Sequence, residues 1–91
     1  MNMRFEWDNS KEADNVAKHG VSFAEAKEAF DDADHIILPD KLHSSTEQCY
    51  FCIGRVERGV LTVRFTLRNT RIRIIGAGFW RKGKQYYERQ S

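Results

Sequence analysis

Arg64, Thr66, Arg68, Arg71 and Arg73 alternate with Leu61, Val63, Phe65, Leu67, Ile72 and Ile74 in the second half of the chain. Residues two apart in a strand share a face. A sheet built from this run therefore carries its arginines on one side, and Arg55 joins them from the preceding run. Guanidinium groups hold phosphate or carboxylate through paired N–H donors, which a lysine ammonium does not. Like charges on adjacent strands repel, and residues 48–91 offer only Glu57 and Glu88 to balance them. The counter-charge must come from the first half of the chain or from an external anion. Phe79, Trp80, Tyr86 and Tyr87 follow directly. Aromatic rings beside a basic surface are the footprint of a binder of single-stranded nucleic acid, with an acidic protein partner as the other occupant.

Such a surface is one step from catalysis. Cleaving RNA needs a group to deprotonate the 2′-hydroxyl, cations to hold the pentavalent phosphate, and an acid for the leaving 5′-oxygen. No metal is required. The residue types able to move those protons are His19, His35, His43, Glu47, Tyr86, Tyr87 and Lys18, with histidine the default near neutral pH. Other chemistries find no support. There is no P-loop, dinucleotide fingerprint or nucleophile elbow. Cys49 and Cys52 form a CxxC inside a β-rich run, which sends the two side chains to opposite faces. They read as strand residues rather than a redox pair or zinc ligands.

The elements that must position these groups are legible from the pattern. Ninety-one residues, 41% of them hydrophobic and 31% charged, suit one globular domain spanning 1–91. The formal charge of +2 hides a cancellation: residues 1–47 hold 5 Lys/Arg against 11 Asp/Glu, and residues 48–91 hold 10 against 2. No apolar run reaches the length of a membrane span, and no signal-peptide core is present, so a cytoplasmic protein is expected. Phe5-Glu6-Trp7-Asp8 leads into a first helix capped by Asp8, Asn9 or Ser10, with Ala13, Val16 and Ala17 as its apolar stripe and Gly20 as its stop. Ser22-Phe23-Ala24-Glu25 is a capping box for a second helix, with Val21 stapled on Ala26. Residues 35–38 read as a short strand. Residues 48–56, 60–68 and 71–77 read as three more, and residues 81–90 as a basic helix weakened by Gly83.

Asn69-Thr70 suggests a tight hairpin that pairs Arg68 with Arg71, Leu67 with Ile72, Phe65 with Ile74 and Val63 with Gly76. Arg58-Gly59 suggests another, pairing Val56 with Leu61 and Cys52 with Phe65, which places Phe51 and Ile53 on the polar side. The expected fold is α+β: two N-terminal helices packed on a four-stranded antiparallel sheet, with a C-terminal helix.

The chain resembles the BrnT family of toxins over about residues 5–88. The resemblance rests on Phe5-Glu6-Trp7-Asp8, Asn15, Lys18-His19-Gly20-Val21-Ser22-Phe23, Glu25, Ala29-Phe30-Asp31-Asp32 and Glu47. It continues through Ile53-Gly54-Arg55, Phe65-Thr66-Leu67-Arg68, Arg71-Ile72-Arg73-Ile74-Ile75-Gly76-Ala77 and Tyr87-Glu88. It implies a RelE-like fold and a metal-independent, cofactor-free ribonuclease that inhibits translation and growth. It also implies neutralisation by a BrnA-like ribbon-helix-helix antitoxin in a complex of two toxins and two antitoxins. Operator DNA would be reached only through that antitoxin, and no membrane is involved. Taken together with the arginine face read from the strands, the resemblance makes Arg68, Arg73, His19, Glu47 and Tyr87 the catalytic candidates. Lys18, Arg55, Arg64, Arg71, Arg81, Lys82 and Lys84 become the RNA-binding ones. Where the family commonly has Ser-Ala-Arg after the last strand, this chain has Gly76-Ala77-Gly78. The alternative is therefore a non-catalytic, degenerate toxin that serves as antitoxin partner and co-repressor. An RNA chaperone with steep salt dependence is a third option.

Overall fold

The computed structural model describes residues 3–42 and 46–90. Strand β1 (Arg4–Trp7) comes first, followed by helix α1 (Asn9–His19), helix α2 (Phe23–Glu28) and a 3-10 turn at Ala29–Asp31. Strands β2 (Ile36–Asp40), β3 (Cys49–Val56), β4 (Gly59–Arg68) and β5 (Arg71–Gly78) come next, then helix α3 (Arg81–Gln90). The five strands form one sheet in the order β1-β5-β4-β3-β2. This overturns the expected four-stranded antiparallel sheet. Phe5–Trp7 is not a lead-in to the helix but a strand, and it pairs parallel with β5, Phe5 opposite Ile72 and Trp7 opposite Ile74. Four residues are too few for an alternation to stand out, and the partner strand lies more than sixty residues away, so nothing local announces it. The sheet is mixed, and a strand precedes both helices.

One face of the sheet is dry. Leu61, Val63, Phe65, Ile72 and Ile74 meet Val21, Phe23, Ala26, Ala29 and Phe30, with Phe5 and Trp7 packed at the margin. Both N-caps form where the sequence implies, but the Glu25 side chain of the expected capping box binds Arg58 instead of closing the box. The Asp8 side chain accepts from the amides of Ser10 and Lys11, and Ser22 accepts from the Glu25 amide. The expected stripe of α1 does not dock: Ala13, Val16 and Ala17 are exposed, and Asn15 is the buried residue of that helix. The cover of the sheet is α2 and the 3-10 turn, with α1 set against β5.

The β4–β5 hairpin turns at Asn69, whose φ of 58° is one that asparagine tolerates. Its first pairs follow the expected register, from Arg68–Arg71 to Phe65–Ile74. A bulge then intervenes, so Val63 pairs with Ala77, not Gly76. The extra residue carries Ala77 into the core after Ile74. The β3–β4 turn falls at Glu57-Arg58, one residue earlier than expected. Cys52 therefore meets Val63 and Tyr50 meets Phe65. That is a slip of two, which preserves every face.

Helix α3 lies on the opposite face of the sheet, where Tyr87 packs with Ile53 and Val60, and Ile36 and Leu38 flank them. Gly83 is the contact point: a Cβ there would sit 2.0 Å from Thr62 Oγ1. The residue that weakens the helix locally is what lets it reach the sheet. Ile53 sits on the polar side as expected, and α3 is what covers it.

Candidate nucleic-acid interface

The site begins with Asn15. Strand β1 ends opposite Ile74, and past the bulge the edge of β5 is taken over by this side chain. Asn15 Nδ2 donates to the Ala77 and Val21 carbonyls, and Asn15 Oδ1 accepts from the Ala77 amide. One buried amide thus satisfies a sheet edge and fixes α1 against it. The next face of α1 carries Lys11, Asp14 and Lys18, spaced at helical repeats, with His19 at its end. These residues wall a cleft of about 440 Å³ floored by Phe51, Arg64 and Gly76. Trp80 closes the far side, its indole edge-on to His19 at 5.2 Å between centroids. Among the described residues no carboxylate pairs with Lys11, Lys18 or Arg64. The cleft is open, basic and part aromatic.

The remaining arginines of this face are held by the acidic half of the chain. Arg68 gives both Nε and Nη2 to the Glu47 carboxylate at 3.0 Å. Glu6 takes Arg73 at 2.9 Å and Arg71 at 3.4 Å. The repulsion expected between Arg68 and Arg71, which do pair across the hairpin, is relieved by these carboxylates. Arg68 holds the Glu47 carboxyl below its ordinary range, with Arg73 and Lys11 adding to the effect, and Arg73 does the same for Glu6. Both stay ionised at neutral pH. The Arg68–Glu47 pair is solvent-exposed, a setting in which ion pairs contribute little stability.

The other expected residues lie elsewhere. Arg55, Arg81 and Lys84 line a second cleft of about 510 Å³, with Arg58, Phe79 and Trp80. Arg58, which the sequence placed merely in a turn, is bound to Glu25 and to the Gly20 carbonyl and lies 4.9 Å from the Phe79 ring. Lys82 is exposed on α3 and lines neither cleft. Tyr87 is not brought into the arginine groove. Its hydroxyl donates to Asp32 at 2.5 Å, and Arg55 lies 5.6 Å from its ring. That hydrogen bond and burial push the Tyr87 phenol above its ordinary value. Burial works to raise the Asp32 carboxyl, but bonds from Tyr87 and from the amides of Arg55 and Asp34 outweigh it and lower it. His35 sits in the same corner, its Nδ1 at 2.7 Å from the Asp32 carbonyl. Tyr86 is exposed on α3, and His43 lies outside the described residues.

Sequence reasoning placed Trp80 beside the basic surface but missed Lys11, Asp14 and Phe51 as lining residues. The spacing of Lys11, Asp14 and Lys18 was a usable signal for one helix face. The cysteines play no part: Cys52 is sealed, and burial pushes its thiol up to about 12. Among the described residues no three His, Cys, Asp or Glu side chains gather into a possible metal site, and no helix is long and apolar enough to cross a membrane.

A family model described as the ribonuclease toxin BrnT of type II toxin–antitoxin systems matches residues 7–83, which include every residue of the first cleft. None of the curated proteins matches the chain. With that match covering most of its length, the chain belongs to the BrnT family of ribonuclease toxins, whose members act opposite an antitoxin.

Proposed function

We propose that residues 1–91 act as one toxin domain that cleaves single-stranded RNA in the cytoplasm without a metal ion, and so inhibits translation and growth. The observation that carries this reading is the open cleft where Lys11, Lys18 and Arg64 stand without carboxylate partners beside His19, among the described residues. Arg64 and Lys18 bind the scissile phosphate, and Arg68, Arg71 and Arg73 hold its neighbours once the strand displaces Glu47 and Glu6. A base takes the proton of the 2′-hydroxyl, the O2′–P bond forms, the P–O5′ bond breaks, and the leaving oxygen takes a proton. His19 shares the cleft with these cations and is one proton-transfer group, and Glu47, ionised and freed from Arg68, is the second. Tyr87 acts through α3, which it ties to Asp32, and Arg55, Arg81, Lys82 and Lys84 extend the basic surface.

The partner antitoxin in this reading is a BrnA-like ribbon-helix-helix protein, in a complex of two toxins and two antitoxins that alone reaches operator DNA. The test is incubation of purified protein with single-stranded RNA in EDTA, alongside induction of the toxin in cells. Cleavage that persists in EDTA and falls at least a hundredfold in His19→Ala and Arg64→Ala is expected. RNA left intact at high protein, together with growth arrest that Arg68→Ala does not relieve, would sink the catalytic reading. Gly78, which puts no cation at the end of β5, favours one second reading: a degenerate toxin that binds its antitoxin and does not cut. Normal growth on expression of well-folded protein without antitoxin would favour that reading.

A further inference from the structure

Trp80 stands where the two basic clefts meet and lines both. Its position is built rather than incidental. A Cβ on Gly78 would lie 2.7–2.9 Å from three atoms of the indole six-membered ring, so the glycine is what lets the ring settle on the strand. His19 braces the ring edge-on, yet Trp80 remains 41% exposed. On one side of it lie Lys18 and Arg64, and on the other Arg81 and Lys84, with no ion pair to any of the four among the described residues. An indole fixed by its surroundings and flanked by unpaired cations matches a nucleotide: a base to stack and a phosphate on either side.

We propose that Trp80 is a stacking platform for one base of a single-stranded RNA, with the phosphates before and after that base held in the two clefts. This deepens the ribonuclease reading and rests on it. The platform fixes where the strand lies along the arginine groove. Gly78 belongs to the same device, because a side chain there would lift the ring off the strand.

The probe is a short 2′-O-methylated RNA, which keeps bases and phosphates and lacks the attacking hydroxyl. A single abasic site is moved along it, and binding to the unaltered protein is measured. One position should weaken binding about 5- to 150-fold, the range for loss of one base–aromatic stack. Trp80→Ala should lose the same factor on the intact strand and nothing further on that abasic strand. Trp80→Phe should keep most of the binding, and Gly78→Ala should behave as Trp80→Ala. Arg81→Ala with Lys84→Ala should reduce the dependence of log affinity on log salt by about 0.7 for each phosphate no longer neutralised.

If no abasic position matters in the unaltered protein, or if the abasic loss is the same in Trp80→Ala, the platform is overturned. Arg64→Ala separates that failure from failure of the RNA reading. Binding that depends on Arg64 but not on Trp80 removes the platform alone. A protein that binds no strand, or only an acidic peptide, removes both.

Discussion

On one face of the sheet Phe23, Leu61, Val63 and Ile74 are sealed from solvent. On the other, α3 covers Ile53, Val60 and Thr62 but leaves Arg64, Arg68, Arg71 and Arg73 facing outward. The same strands make both faces. The dry face is bound by volume, so each buried atom matters and shape leaves few alternatives. The charged face is held by ion pairs instead, Glu47 on Arg68 and Glu6 on Arg71 and Arg73. The same small sheet thus packs its core on one side and exposes its charge on the other.

The largest test of that division sets a core residue against a groove residue. Phe23→Ala should cost about 3–5 kcal/mol in chemical denaturation, whereas Arg64→Ala should change stability by less than about 0.5 kcal/mol while abolishing RNA cleavage. A large stability loss in Arg64→Ala would show that the two faces are not separate. Asn15→Ala comes next, because it leaves the Ala77 amide and two carbonyls unpaired. It should cost about 2–3 kcal/mol and also loosen α1, so cleavage should fall even where the protein stays folded. Tyr87→Phe removes the bond to Asp32 that ties α3 to the sheet. A loss of about 1–2 kcal/mol is expected in a thermal melt, with the groove arginines untouched. Thr62→Val runs the other way. Its hydroxyl is buried without a hydrogen-bond partner among the described residues, so the variant should gain about 1 kcal/mol.

The smallest effect is that of pH. Glu6 and Glu47 titrate below their ordinary values because arginines favour their charged forms. A depressed carboxyl adds stability above its unfolded value, near 4.3 for glutamate, and that contribution is lost as pH falls through the folded value. The melting temperature should therefore be level between about pH 5 and 7 and decline below about 4. Glu6→Gln and Glu47→Gln should each make that decline shallower. Cys52 on the dry face has no part in it, since burial pushes its thiol up to about 12.

Much of the arrangement was written in local patterns. The cap at Asp8, the Ser22 cap of α2 and the β4–β5 turn at Asn69 each depend on residues close in the chain and stand as expected, whereas the Glu25 half of the capping box is drawn off to distant Arg58. The arginine face was legible for the same reason, since a period of two dictates sidedness. Errors appeared where local and distant partners compete. The stripe Ala13, Val16 and Ala17 stays in solvent because one asparagine amide makes the better contact with β5. The bulge at Ile75 satisfies core packing at Ala77 at the expense of strict alternation.

Sequence alone determined the helices, the four later strands, the one-sided arginines and the family, because those follow from short periods and from residue types at set spacings. Only the tertiary structure decided that β1 is a fifth strand in parallel with β5. It also decided that Glu6 and Glu47 neutralise Arg73 and Arg68, that Tyr87 turns away to Asp32, and that Trp80 sits on Gly78 between two clefts. Each of these joins residues brought close by the whole chain's burial of its apolar surface. No local spacing encodes which distant side chains that collapse will bring together.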